Sequence, residues 1–140
     1  MITLDTNVLV RYLLDDDEHQ AKAARNLLSG LTPDQPGFVC REVTVELTWV
    51  LQNTYGFSRD LVSEALEDLI ATKELKFEAA DDVVSAINHY REGGASLPGR
   101  MIAAAAKRRG AYPLYTFDQK LARLEGVLLL ETPTDNSSVS

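Results

Sequence analysis

The chain opens with Met1-Ile2-Thr3-Leu4-Asp5-Thr6-Asn7-Val8-Leu9-Val10-Arg11-Tyr12-Leu13-Leu14, where a short apolar run passes through an aspartate into a helical pattern. We predict a strand that ends at Asp5 and a helix that follows it. The same order recurs near the other end of the chain, where Asp118 separates the apolar stretch 113–117 from the helical pattern 119–124. Parallel strands of an α/β sheet end along one edge, and ligands bind in the crevice outside those ends. The two aspartates are therefore expected to meet at a common site.

Helices and strands alternate along the rest of the chain. Ser58 suits a helix N-cap, and Gly30, Gly93 and Gly110 suit helix C-termini. The periodicity predicts helices over residues 6–14, 17–28, 42–54, 58–70, 80–91 and 98–109, and strands over residues 1–4, 38–40, 75–77, 113–117 and 127–130. This alternation is typical of a three-layer α/β protein.

The length of 140 residues, with 45% hydrophobic and 25% charged residues, suits one globular domain with a core of its own. We expect that domain over residues 1–131 and a mobile polar tail over residues 132–140. The sequence has neither a transmembrane stretch nor the pattern of a secretory signal, so we expect a soluble cytoplasmic protein. The single cysteine, Cys40, lies in an apolar stretch and is interpreted as a packed thiol.

The net charge of −7 is unfavourable for a nucleic-acid-binding protein, because phosphate contacts normally supply much of the affinity. Local basic patches or metal ions would have to compensate. Five basic residues could line a groove for a phosphate backbone: Arg11, Arg100, Lys107, Lys120 and Arg123. Lys107 also lies in the last turn of a helix, where a cation complements the helix dipole without any ligand.

A third acid, Glu46, belongs with the two strand-end aspartates. It shares a helical face with Val43 and Leu47, and a carboxylate there is costly unless it faces a polar cleft. Each acid also has a structural interpretation, since Asp5 and Asp118 suit helix N-caps and Glu46 could reach solvent at the edge of the apolar stripe. Taken together, the three carboxylates predict a site for Mg²⁺ or Mn²⁺, which prefer oxygen ligands.

The remaining candidates are assigned structural roles. His19 and His89 lie in charged helical surroundings without neighbouring metal ligands, so we assign them no function. Trp49 is expected to pack in the core beneath the cleft, with base stacking as the disfavoured alternative. Apolar residues of the first two helices are candidates for a partner surface, with core packing as the alternative: Val10, Leu13, Leu14, Ala24 and Leu28.

Four pieces of the sequence resemble the PIN-domain ribonucleases of the VapC toxin type. They are residues 4–13 (LDTNVLVRYL), 46–51 (ELTWVL), 101–104 (MIAA) and 115–121 (YTFDQKL). The resemblance implies a compact α/β/α domain with a mostly parallel central sheet, usually a homodimer, that cuts RNA with Mg²⁺ or Mn²⁺ and is neutralised by a small VapB-type antitoxin. It also implies that Asp5, Glu46 and Asp118 are the first, second and fourth carboxylates of the family's site, with Thr116 as the hydroxyl residue before the last.

The sequence departs from the family pattern at its third acid. Members usually carry aspartate at the positions that are Ser96 and Gly99 here, and neither residue can replace a carboxylate. Glu42, one helical turn before Glu46, is the nearest substitute, although a solvated acid at a helix start explains it too. Two functions therefore stand: a metal-dependent endoribonuclease toxin, or a catalytically weakened or inactive PIN-like module that binds antitoxin or RNA.

Overall fold

The computed structural model describes residues 1–133, so residues 134–140 of the expected tail lie outside the described part of the chain. It contains, in chain order, β1 (Ile2–Thr3), α1 (Thr6–Leu13), α2 (Glu18–Ser29), β2 (Gly37–Val39), α3 (Arg41–Asn53), α4 (Arg59–Ala71), β3 (Leu75–Phe77), α5 (Ala80–Glu92), α6 (Leu97–Arg109), β4 (Leu114–Thr116), a 3-10 helix (Leu121–Arg123) and β5 (Val127–Leu129). The chain divides into two compact units, an N-terminal unit of Met1–Gly93 and a C-terminal unit of Gly94–Ser140. Among the helices of residues 1–133, none is long and apolar enough to cross a membrane.

The N-terminal unit contains a parallel sheet in the order β1-β2-β3. Gly37 begins β2 at a point of close packing: a Cβ there would lie 2.8 Å from Cδ1 of Leu4 and 3.0 Å from Cδ1 of Leu31. Both distances are at or below the limit for real contacts, so a larger residue at position 37 would force the side chains of Leu4 and Leu31 to shift. Leu4 is the residue before Asp5, and the packing at Gly37 therefore bears directly on the candidate site.

The C-terminal unit combines α6 with the parallel pair β4 and β5. Its core is the cluster of Ala95, Ala103, Leu121 and Val127. Tyr112 donates a hydrogen bond of 3.2 Å from its hydroxyl to the carbonyl of Ala103 and so ties the segment before β4 to α6. The α/β class with parallel strands is confirmed in both units.

Two sequence-based expectations are wrong. The helix expected over residues 119–124 is only the short 3-10 helix, because Asp118 binds the first free N–H groups of the turn and Leu124 already has extended backbone angles. Trp49 is 59% exposed rather than packed in the core. The buried face of α3 instead contains Thr44 and Thr48, which shifts the apolar stripe around the helix and leaves Trp49 opposite to it.

The two buried threonines are possible because their hydroxyls are satisfied within the helix. Thr48 donates to the carbonyl of Thr44 at 3.0 Å, and Thr44 donates to the carbonyl of Cys40 at 3.5 Å. Cys40 itself is only half-buried. The expected partner surface also needs correction, because Val10, Ala24 and Leu28 are buried, as the core-packing alternative predicts.

Candidate functional site

Asp5 lies where β1 ends and is the N-cap of α1. Its backbone is extended, with φ −79° and ψ 161°, and its Oδ1 accepts a hydrogen bond of 2.7 Å from the backbone N–H of Thr6. The capping role is therefore confirmed. It occupies one carboxylate oxygen, and within residues 1–133 no hydrogen bond is made to the other oxygen, which leaves it available to a ligand.

Glu46 and Asp5 line the same pocket of the N-terminal unit. The pocket has a volume of about 280 Å³ and is lined by Asp5, Thr6, Asn7, Val10, Arg11, Glu46, Val50, Thr54 and Tyr55. Glu46 is exposed on α3, away from the buried face of that helix. Its carboxylate forms no hydrogen bond or ion pair with any of the described residues. One strand end and one helix thus bring two acids that are distant in sequence to one concave surface.

A hydrogen-bonded network of four side chains lies at one wall of this pocket. Arg11 donates from its guanidinium to Asp16 at 2.7 Å, to the Tyr55 hydroxyl at 3.1 Å and to Oε1 of Gln20 at 2.7 Å. Tyr55 in turn donates to Oδ2 of Asp16 at 2.6 Å. The hydrogen bond from Tyr55, with that from Arg11, lowers the pKa of the Asp16 carboxyl. The same contacts raise the pKa of Arg11. The hydrogen bonds also fix the position of its guanidinium at the wall of the pocket that Asp5 and Glu46 line.

Sequence reasoning did not find Asp16 and Tyr55. Asp16 lies in an acidic run over residues 15–18 that leads into α2, where acids favour the helix start without any ligand. Tyr55 follows α3 without a motif around it. Their contact depends on tertiary packing, which no local spacing reveals. The predicted phosphate contact at Arg11 stays a prediction, since its guanidinium already has three internal partners.

Asp118 and Thr116 form a tight turn at the end of β4 in the C-terminal unit. The Asp118 N–H donates to Oγ1 of Thr116 at 3.0 Å, and Oδ1 of Asp118 accepts from the N–H groups of Lys120 at 2.8 Å and Leu121 at 3.2 Å. Asp118 is exposed and Thr116 is half-buried. Thr116 therefore orients the backbone of Asp118, whereas the role of Asp118 as a metal ligand stays a prediction.

Gly99, at the position of the absent third acid, adjoins the turn that Asp118 holds. Ser96 is the N-cap of α6, and its Oγ accepts from the N–H of Gly99 at 3.2 Å. A Cβ at position 99 would lie 3.3 Å from Cδ1 of Leu121 and 3.3 Å from Oγ of Ser96. A side chain there would therefore emerge beside Leu121, whose N–H is bound by Asp118.

The other sequence candidates have clear positions. Arg100 is half-buried and donates from Nε to the carbonyl of Ala95 at 3.2 Å, so it supports the start of α6. Lys107, Lys120 and Arg123 are exposed. Glu42 is exposed in the first turn of α3, where its charge favours the helix dipole.

The donor set of the pocket fits a hard divalent cation. Mg²⁺ and Mn²⁺ bind through one or two carboxylates and keep several waters, and Asp5 and Glu46 supply two carboxylates in one pocket. Within residues 1–133, no three side chains of the His, Cys, Asp and Glu types gather as a metal-binding group. The chain alone thus presents a site with few ligands rather than a closed metal cage.

A known protein family matches most of the chain. The family model described as PIN domain matches residues 2–127. No curated protein shows significant similarity to the chain. The parallel strands and six surrounding helices agree with the three-layer α/β/α fold of that family, which is generally associated with metal-dependent nucleases. On the match over nearly its whole length, the chain belongs to the PIN domain family.

Proposed function

We propose that this protein is a metal-dependent endoribonuclease of the VapC toxin type. The observation that carries the proposal is the shared pocket of Asp5 and Glu46 in a chain of the PIN domain family. Glu46 supports it further, because an exposed carboxylate without a partner beside a second carboxylate is suited to bind a cation.

Asp5, Glu46 and Asp118 are the residues proposed to hold Mg²⁺ or Mn²⁺. The chemistry that a bound ion supplies at such a site is polarisation of a phosphate oxygen and formation of a hydroxide nucleophile from water at neutral pH. Thr116 holds the backbone of Asp118 through its hydroxyl, and Arg11 places a cation at the pocket wall. That cation would offset part of the negative charge as a phosphate approaches.

We further propose a cytoplasmic homodimer neutralised by a small VapB-type antitoxin, as the resemblance implies. The surface between α1 and α2 is a better candidate for the antitoxin site than those residues of the expected partner surface that are buried. It holds a pocket of about 270 Å³ lined by Asn7, Val8, Arg11, Gln20, Ala23, Ala24 and Leu27. Leu27 is 43% exposed there, whereas its neighbour Leu28 is buried.

Gly99 favours a second function, a catalytically weakened or inactive PIN module that binds antitoxin or RNA. Position 99 adjoins the Asp118 turn, because an acid at this position would emerge beside Leu121, whose N–H Asp118 binds. With glycine there, the site lacks one negatively charged ligand. Metal affinity is then the quantity that separates the two functions.

Cleavage of an RNA panel by the pure protein tests the proposal. We expect cleavage with Mg²⁺ or Mn²⁺, and none with EDTA or in Asp5→Asn, because the asparagine keeps the N-cap but removes the charge. Cleavage that survives in both controls would reject the proposed site. Metal binding without cleavage of any RNA would favour the inactive module.

A further inference from the structure

The two units differ in charge, although the whole chain is acidic. Residues 1–93 contain 8 Lys and Arg residues against 17 Asp and Glu residues, which gives a net charge of −9. Residues 94–133 contain 6 Lys and Arg residues against 3 Asp and Glu residues, which gives a net charge of +3. The C-terminal unit is therefore basic, although the net charge of the whole chain is negative. Such a difference in charge between two parts of a chain is expected when one part contacts nucleic acid.

The arginines of the two units also differ in their partners, whereas both units contain exposed lysines without one among residues 1–133. In the N-terminal unit Arg11, Arg25, Arg41 and Arg91 form ion pairs with Asp or Glu. In the C-terminal unit four cations are exposed, and none of their side chains has a hydrogen bond or ion pair among residues 1–133: Lys107, Arg109, Lys120 and Arg123. Cations without internal partners can bind phosphates without first breaking an ion pair.

Two aromatic rings are exposed at the end of β4, next to Asp118. Tyr115 is 59% exposed and Phe117 is 64% exposed, while Leu114 before them and Thr116 between them are half-buried. Tyr115 lies on the exposed face of β4, and Phe117 follows one residue after the strand ends, so both rings are close in sequence and open to solvent. Tyr115 is in register with Leu128 on β5, which is 49% exposed and extends the same face.

The turn that follows β4 presents three kinds of group within four residues. Phe117 supplies a ring, Asp118 a carboxylate and Lys120 a cation. The turn is held by the hydrogen bonds of Asp118 to Thr116, Lys120 and Leu121. Phe117 is therefore attached to a fixed backbone, which is the condition for a ring to act as a stacking surface rather than as a loose side chain.

We propose that Tyr115 and Phe117 stack the bases of a single-stranded RNA whose backbone is bound by the exposed cations of the C-terminal unit. This inference rests on the proposed function, since it places bases next to a residue of the proposed active site. Exposed aromatic rings combined with unpaired cations are the usual means of binding single strands without strict sequence preference. A duplex keeps its bases stacked internally, so the platform selects unpaired RNA.

A protein partner is the alternative occupant of this face, because exposed apolar residues also mark protein interfaces. The charge of the unit favours RNA: a net +3 with four unpaired cations complements a phosphate backbone. The two occupants require different properties of position 117. Stacking requires an aromatic ring, whereas a protein interface requires apolar bulk, which leucine also provides.

The test is binding of a fluorescent single-stranded oligouridylate to the full-length protein in EDTA at low salt, followed by fluorescence anisotropy. We expect Phe117→Ala, Phe117→Leu and Tyr115→Ala each to weaken binding roughly 5- to 150-fold, the range of stacking by one base. Phe117→Tyr should keep the parental affinity. Leu61→Ala, at an exposed apolar residue of α4, should change nothing. A duplex of the same length should bind more weakly than the single strand.

The outcomes separate this inference from the proposed function. Binding that behaves as expected, without cleavage of any RNA of the panel in Mg²⁺ or Mn²⁺, would reject the nuclease and keep the stacking platform. Parental binding in Phe117→Leu and Tyr115→Ala would reject the platform, and a simultaneous change of their mass in light scattering would identify the face as a protein interface. Absence of oligouridylate binding by the parent would also reject it.

Discussion

Oδ1 of Asp118 accepts a hydrogen bond of 3.2 Å from the backbone N–H of Leu121, and the side chain of Leu121 is the group that a Cβ at position 99 would meet at 3.3 Å. The position of the absent acid is thus linked to the proposed ligand Asp118 through one residue. Whether a carboxylate at position 99 can serve the site depends on how far Leu121 can move.

Gly99→Asp should strengthen Mn²⁺ binding at least 10-fold and raise RNA cleavage, since even outer-sphere partners of a metal are worth roughly 10–100-fold. The new charge in the first turn of α6 should contribute about 0.3–1 kcal/mol to stability. Crowding against Leu121 opposes that gain. Calorimetric Mn²⁺ titration and denaturant unfolding measure both effects. Gly99→Ala is the matched control, because it adds the same Cβ without the carboxylate. Equal, strong activity of all three proteins would show that the chain does not need this acid.

Asp5→Asn and Asp5→Ala should separate capping from metal binding. Both should abolish metal binding at the pocket. Only alanine removes the acceptor for the Thr6 N–H, so Asp5→Ala should lose about 0.5–2 kcal/mol of unfolding free energy while Asp5→Asn loses less. Denaturant unfolding and Mn²⁺ titration of the two variants measure the difference. Full metal affinity in Asp5→Asn would remove Asp5 from the ligand set.

Tyr55→Phe should raise the pKa of Asp16 towards its ordinary value, because the Tyr55 hydroxyl is the main cause of its lowering. A carboxyl whose pKa is lower in the folded state adds stability above the unfolded pKa of 3.8, and that stability is lost as pH falls through the folded pKa. The variant should lose less stability than the parent as pH falls below about 4. A carboxyl NMR titration of Asp16 tests this, with Tyr12→Phe as the control. An unchanged Asp16 pKa in Tyr55→Phe would contradict the network.

Trp49→Ala should change the unfolding free energy by less than about 0.5 kcal/mol, because the side chain is 59% exposed. Leu47→Ala on the same helix removes a fully buried side chain and should cost about 2–5 kcal/mol. Trp49 is the only tryptophan of the chain, so its emission reports directly on its surroundings. Emission of a water-exposed indole, quenched by acrylamide, is expected. A strongly blue-shifted emission would contradict the exposure.

Much of the fold could be predicted from the sequence because its helices carry local signals. Helix ends are marked by residues that lie next to the N–H and C=O groups they affect. These are the N-caps Asp17, Ser58 and Ser96 and the glycines after α2, α5 and α6. The exposure of Trp49 could not be predicted, because it depends on which face of α3 is buried. That face contains Thr48, which looks like a surface residue in the sequence but is buried with its hydroxyl bonded within the helix.

The candidate site could be predicted only in part. Asp5 and Glu46 line one pocket, and their positions at a strand end and on a helix follow from local periodicity. Their convergence with Asp118 on one metal ion stays a prediction. The contact of Arg11, Asp16 and Tyr55 could not be predicted, because it depends on how α1, the turn after it and the end of α3 approach one another. The exposure of Phe117 likewise depends on which face of the β4 and β5 pair is covered.

Gly37 shows how a position outside the pocket can influence the proposed nuclease site. A methyl group at position 37 would come within 2.8 Å of the Leu4 side chain, and Leu4 is joined by a single peptide bond to Asp5. The Leu4 side chain has to shift to relieve that clash, and any part of the shift that reaches the end of β1 displaces Asp5. Displacement of a reacting group by about 1 Å can cost roughly 100-fold in rate. In a mutational scan of the proposed nuclease activity, substitutions at Gly37 are therefore expected to lower the rate, although glycine at this position contributes no side chain of its own.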